Sequence, residues 1–263
     1  MIQNDLNYTR YFESKVWLVS VSFFNTYDMN FELCTDSVEG AVTAATYGFK
    51  SVELCSALSV GGLTPNYGLI KKCVDRSKAE IHVMIRHREG GFQITQDDLQ
   101  TMKMDIEAVK VAGAFGVVFG ILNQDNTVAE ENLELVELAR ALGLKTTFHR
   151  AFDFVPDFRI AIEKVVGFGF DRLLTSGLQN QAEKGIAVIS EIQQHYGDRI
   201  QVIAGSGISK ENALKFSGSN INYLHFTSRK PTNEPIRLGM GQSMLTDHNK
   251  IQLIINLPFN HIN

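Results

Sequence analysis

The chain has 263 residues, 44% hydrophobic and 21% charged, with a formal net charge of −4. That composition excludes a disordered or collagen-like chain, and without a basic excess nucleic acid is not an expected partner. Cys34, Cys55 and Cys73 cannot complete a disulfide framework and show no CxxC spacing, so a reducing, cytoplasmic setting is expected.

Residues 1–28 contain no convincing element. Their longest uncharged apolar run, 16–24, is far short of the ~20 residues that span a bilayer, and no small-x-small cleavage site follows it, so no membrane partner is expected. Met29 stands directly before the first strand-like run as a credible start. The prefix therefore reads as an extension outside the fold that follows, removable without unfolding it. The alternative is a strand or plug closing the bottom of the fold.

From Met29 onward, strand-like runs recur at Phe31–Cys34, Ser51–Cys55, Ile81–Ile85, Gly116–Phe119, Thr146–His149, Arg172–Thr175, Ile200–Ala204 and Tyr223–Phe226. Gly48, Gly113, Gly143, Gly169, Gly197 and Gly218 precede six of them and read as left-handed helix stops. Helix starts are expected at Asp36 with Glu39, Thr127 with Glu130 and Thr95 with Asp98 as capping boxes, and at Thr64 before Pro65. A further helix is expected from about Ser209, and a last one over 246–257 capped by Thr246. Strand starts 20 to 35 residues apart match one β-loop-α-loop unit. Eight such units predict a (β/α)8 TIM-type barrel in a single domain, residues 29–263, over an open doubly wound sheet, which would use fewer strands and a GxGxxG first turn.

Strand alternation divides the side chains between two faces. The apolar set must meet the helices, which turns Glu32, Cys34, Glu53, Cys55, Arg86, His149 and His225 inward. Burying a charge without a partner is strongly unfavourable, so this interior is either a functional mouth or a plug of ion pairs. Arg86 is expected to hold Glu32 and Glu53 ionised. As an enzyme the site would use Glu32 or Glu53 as base, His149 as acid and Arg86 as electrostatic clamp, with Asp153 and His225 beside them. Gly205 and Gly207 after the seventh strand, Ser176 after the sixth, and Arg88, Arg150 and Arg229 at strand ends suggest a small anionic ligand.

Several strings then resemble one family. They are Glu32–Glu39, Val52–Leu58, Gly61–Pro65, His82–Arg86, Val118–Gly120, Phe148–Asp153 and Leu174–Gly177, and together they resemble the CutC family of copper homeostasis proteins over about Phe31 to Arg229. The resemblance implies a TIM-type barrel, a cytoplasmic protein and Cu(I) binding, with the metal on Cys34 and Cys55. Soft thiolates prefer Cu(I), and the alternative is that both cysteines are small buried hydrophobes. His87 replaces the family's proline, Gly205-Ser206-Gly207 replaces its triple glycine, and the strand-eight run reads Leu224–Arg229. Expected partners are a copper ion and a small anionic ligand, with a homo-oligomer left open. An enzyme and a scaffold with a vestigial site are the competing classes.

Overall fold

The computed structural model describes residues 29–234, 238 and 241–259; the expectations for residues 1–28 fall outside them. Eight parallel strands close into a barrel in sequence order: β1 Asn30–Thr35, β2 Ser51–Leu54, β3 Glu80–Met84, β4 Gly116–Phe119, β5 Lys145–Phe148, β6 Arg172–Thr175, β7 Gln201–Gly205 and β8 Tyr223–Thr227. β8 closes on β1 with Glu32 opposite His225. Six helices follow the first six strands: α1 Val38–Thr46, α2 Tyr67–Arg76, α3 Gln96–Ala112, α4 Glu131–Ala141, α5 Phe158–Phe168 and α6 Ile186–Tyr196. The expected (β/α)8 barrel is therefore the fold.

The core lies between barrel and helices, because alternate strand residues such as Leu33, Val52, Leu54, Val83, Val117, Phe119, Phe148 and Leu224 turn outward onto the helices' apolar faces. Helix α3 shows how sequence sets an element. Thr95 and Asp98 close both halves of a capping box, Leu99, Met102, Ile106 and Val109 are buried along one face, and Gly113 at φ +87° ends it. Cys73 on α2 is buried in the same core.

Other local expectations need correction. Ser37, not Asp36, caps α1; Asn66, not Thr64, caps α2; and α4 starts after Glu130 with no side-chain cap. Gly48, Gly113, Gly143 and Gly169 are left-handed as expected, whereas Gly197 takes a right-handed helical conformation and Gly218 has no positive φ. No α-helix starts near Ser209. The Asn212 side chain there accepts from the Ser209 N–H (2.8 Å) and donates to Gly207 O (2.8 Å), and only a 3-10 turn, Ala213–Phe216, follows. Such local side-chain bonds compete with helix formation. After β8, β9 Arg229–Pro231 and β10 Met244–Thr246 form an antiparallel pair, and α7 His248–Ile255 is capped by Asp247 rather than Thr246.

Candidate functional site

Two polar layers occupy the barrel interior. The lower one centres on Glu32. Its carboxylate receives Arg172 Nη2 at 2.5 Å and Ser51 Oγ at 2.6 Å, and Ser51 also meets the Tyr223 hydroxyl at 2.8 Å. Arg172 stacks over the Tyr223 ring and donates Nε to Gln201 Oε1 at 3.1 Å. Burial opposes ionisation of Glu32, but Arg172 and His225 outweigh it and hold the carboxyl well below its ordinary range.

The upper layer lies two residues further along the strands. Cys34 on β1 is in register with Glu53 on β2, and Cys55 follows Glu53 just past the strand end. The ligand atoms of Cys34, Glu53 and Cys55 all lie within 4.8 Å of one another, and all three residues are buried. Cys55 Sγ faces Glu53 Oε2 at 3.6 Å. Gly62 at φ +93° passes over this pair, and a Cβ there would come within 3.0 Å of Cys55 Sγ, so only glycine closes the loop this tightly.

His225 joins the layers. Its Nδ1 lies 2.9 Å from Glu32 Oε1 and its Nε2 lies 3.7 Å from Glu53 Oε2. Burial works against its charge, but Glu53, Cys34 and Glu32 raise its pKa well above the ordinary histidine value. A hydrogen bond from the Cys55 thiol lowers Cys34 to about 5, helped by His225, which makes Cys34 the thiolate. Cys55, as donor and by burial, is raised, and burial with the neighbouring thiolate raises Glu53. Cys73, away from any of these groups, is pushed up to about 11 by burial alone.

Above this floor opens a cavity of about 640 Å³ at the carboxyl ends of the strands. Cys34, Glu53, Arg86, His149, Arg150, Gly207 and His225 line it, together with Arg229, Lys250, Phe92 and Phe154. His149 Nδ1 accepts from the Ala151 N–H at 3.3 Å, and burial with the nearby Arg86 lowers its pKa to about 3, so it is a neutral imidazole with its proton on Nε2.

A family model for the CutC family matches residues 29–230. A CutC family protein of Vibrio campbellii is 41% identical over 182 residues, 69% of this chain and 74% of that protein. One from Vibrio atlanticus is 36% identical over 233 residues, 84% and 94% of the two chains. The chain belongs to the CutC family. A solved structure from Streptococcus agalactiae, named for copper homeostasis as CutC, superposes with a TM-score of 0.69 at 29% identity over 75% of this chain and 97% of that one. A barrel from Burkholderia cenocepacia at 16% identity and a TM-score of 0.53, over 75% and 76% of the two chains, shares the fold alone.

Within this CutC family chain, the other expected site residues separate. Arg86 does not reach the interior carboxylates. It leaves the end of β3 and bonds the backbone carbonyls of Val60, Gly62 and Gly90 at the rim, and the partner of Glu32 is Arg172 instead. Alternation along β6 pairs Arg172 with Leu174, a signal strong enough to have found it. Asp153 accepts from Arg150 Nε (2.8 Å), Thr175 Oγ1 (2.6 Å), Ser176 N (2.9 Å) and Ser176 Oγ (2.7 Å), which locks the loop after β5 to the end of β6. Asp153, Ser176 and Gly205 are not among the cavity's lining residues, and neither is Arg88, which binds Asp98 at 2.9 Å. His87 lies 2.6 Å from the other Asp98 oxygen. Ser206 takes a positive φ of +89°, and its hydroxyl donates to Asn180 O at 2.7 Å.

Proposed function

We propose that this CutC family member binds one Cu(I) ion as cargo between Cys34 and Cys55 and serves copper homeostasis. The observation that carries this reading is two unpaired, buried thiols whose sulfurs lie within 4.8 Å of each other, with Cys34 at the floor of an open cavity. Two metal–sulfur bonds of ~2.3 Å, the zinc–thiolate length, would bridge a gap of that size. Cu(I) is soft and accepts few, soft ligands, which these residues supply. Cys34 is already disposed to be a thiolate, and Cys55 would release its proton as the metal enters. Two thiolates and Cu(I) leave one negative charge, which the His225 imidazolium offsets. Glu53 is a hard oxygen ligand held toward its neutral form, so its role is to donate a hydrogen bond to the Cys34 sulfur rather than to ligate the metal.

Three free cysteines fit a reducing compartment, which supports a cytoplasmic location. Among the described residues, no helix is long and apolar enough to cross a membrane.

The test is anaerobic competition against a Cu(I) chelator, on the parent protein and three single variants. One equivalent should bind the parent. Cys34→Ser and Cys55→Ser should each weaken binding by about a hundredfold or more, since even outer-shell partners of a metal site cost 10–100-fold. Cys73→Ser should match the parent. Equal affinity in all four proteins would remove the site.

A further inference from the structure

The cavity above the cysteines is far larger than one metal ion requires. Its volume of about 640 Å³ falls in the range of sites for small organic molecules. Its walls divide by chemistry. Leu58, Val60, Phe92, Phe154 and Ile208 supply an apolar side, and Arg86, Arg150, Arg229 and Lys250 supply four cations. Among the described lining residues Glu53 is the only carboxylate, and it sits at the floor beside His225.

Two of the four cations are already paired: Arg150 with Asp153 at 2.8 Å, and Arg229 with Asp36. Neither of the other two makes an ion pair among the described residues, although Glu89 and Asp247 act on Arg86 and Lys250 from beyond bonding distance. Arg86 is splinted by the carbonyls of Val60 (2.9 Å), Gly62 (3.1 Å) and Gly90 (2.8 Å) and lies over the Phe92 ring at 5.5 Å; its Nε is buried without a hydrogen-bond partner. Lys250 donates to Thr227 O at 2.7 Å. A fixed guanidinium held by carbonyl dipoles keeps its full charge for a ligand and loses little entropy when one arrives. His149, with Nδ1 engaged by Ala151, adds a neutral N–H donor on the same wall.

We propose that this cavity binds a small organic anion, a carboxylate or phosphate monoester with a short apolar body, through Arg86 and Lys250 with His149 as a hydrogen-bond donor. The inference is independent of copper, because none of these three residues is a ligand in the metal reading. The acidic group meets the cations and the apolar body lies against Phe92 and Phe154.

Isothermal titration of the metal-free protein with three probes tests it: phenyl phosphate, benzoate and the uncharged phenol. At least one of the two anions should bind about tenfold or more tightly than phenol, as a charge-assisted contact requires, and which one does so separates phosphate from carboxylate ligands. Arg86→Met and Lys250→Met should each weaken that anion by about tenfold. Lys250 is bonded only to Thr227 O, so its variant decides the matter if Arg86→Met proves unstable. Phenol binding as well as both anions, or an affinity unmoved by Lys250→Met, would overturn the proposal.

Discussion

Glu32 and Glu53 stand on neighbouring strands of one barrel, both buried and both facing inward, yet they carry opposite protonation tendencies. Glu32 is pushed down, because the charge of Arg172 and the hydrogen bond and charge of His225 outweigh its burial. Glu53 is pushed up first by burial and then by the neighbouring thiolate and Glu32, and one of its oxygens is buried with no hydrogen-bond partner. The difference is made by partners, since burial alone would raise both: His225 faces Glu32 from the adjoining β8 and Arg172 reaches it from β6. The lower layer is thus a closed structural ion pair, and the upper layer is left open to outside chemistry.

The largest effect should come from breaking the lower layer. Arg172→Met leaves the buried Glu32 without its counter-ion and should cost about 3–5 kcal/mol in chemical denaturation, as for other broken buried pairs. A cost near zero would mean that the two layers do not differ as described.

A smaller effect sharpens the comparison from the other side. At neutral pH, Glu53→Gln should not destabilise and should raise stability, since an amide replaces a carboxyl that folding must otherwise protonate. Glu32→Gln should destabilise, because it leaves Arg172 as a buried charge facing a neutral group. Equal effects of the two substitutions would erase the distinction.

The pH dependence gives the subtlest contrast. The folded pKa of Glu32 lies below its ordinary value of 4.5, so its stabilisation is present above pH 4.5 and is lost as the pH falls toward the folded value. Glu53 has a raised folded pKa, so its contribution is full below pH 4.5 and declines as the pH rises toward the folded value. Denaturation of the parent and of each Gln variant across this range should show differences of opposite slope. Slopes of the same sign would contradict the assignment.

Much of this was legible in the sequence. Runs of alternating apolar residues marked all eight strands, and alternation turned inward Cys34, Glu53, His149 and His225, which line the cavity, and Glu32 and Cys55, which are buried outside its lining. Arg86 lines the cavity but does not reach the two glutamates, because β3 ends at Met84 and the chain turns toward the rim before the next inward position. Alternation along β6 could have turned Arg172 inward, but its partner could not be read, since the contact with Glu32 spans 140 residues and depends on closing the barrel. The missing helix after β7 has a local cause. Asn212 satisfies the backbone at Ser209 and Gly207 in the same span that the sequence marks as a helix start.

The central claim is that Cys34 and Cys55 together form a thiolate seat for Cu(I). X-ray absorption at the copper edge of the reduced, Cu(I)-loaded protein tests it most directly. Two sulfurs at ~2.3 Å are expected in the parent, the zinc–thiolate length serving as the guide, and one of them should be lost in Cys55→Ser. A shell made only of nitrogen and oxygen, or a spectrum unchanged by Cys55→Ser, would contradict it.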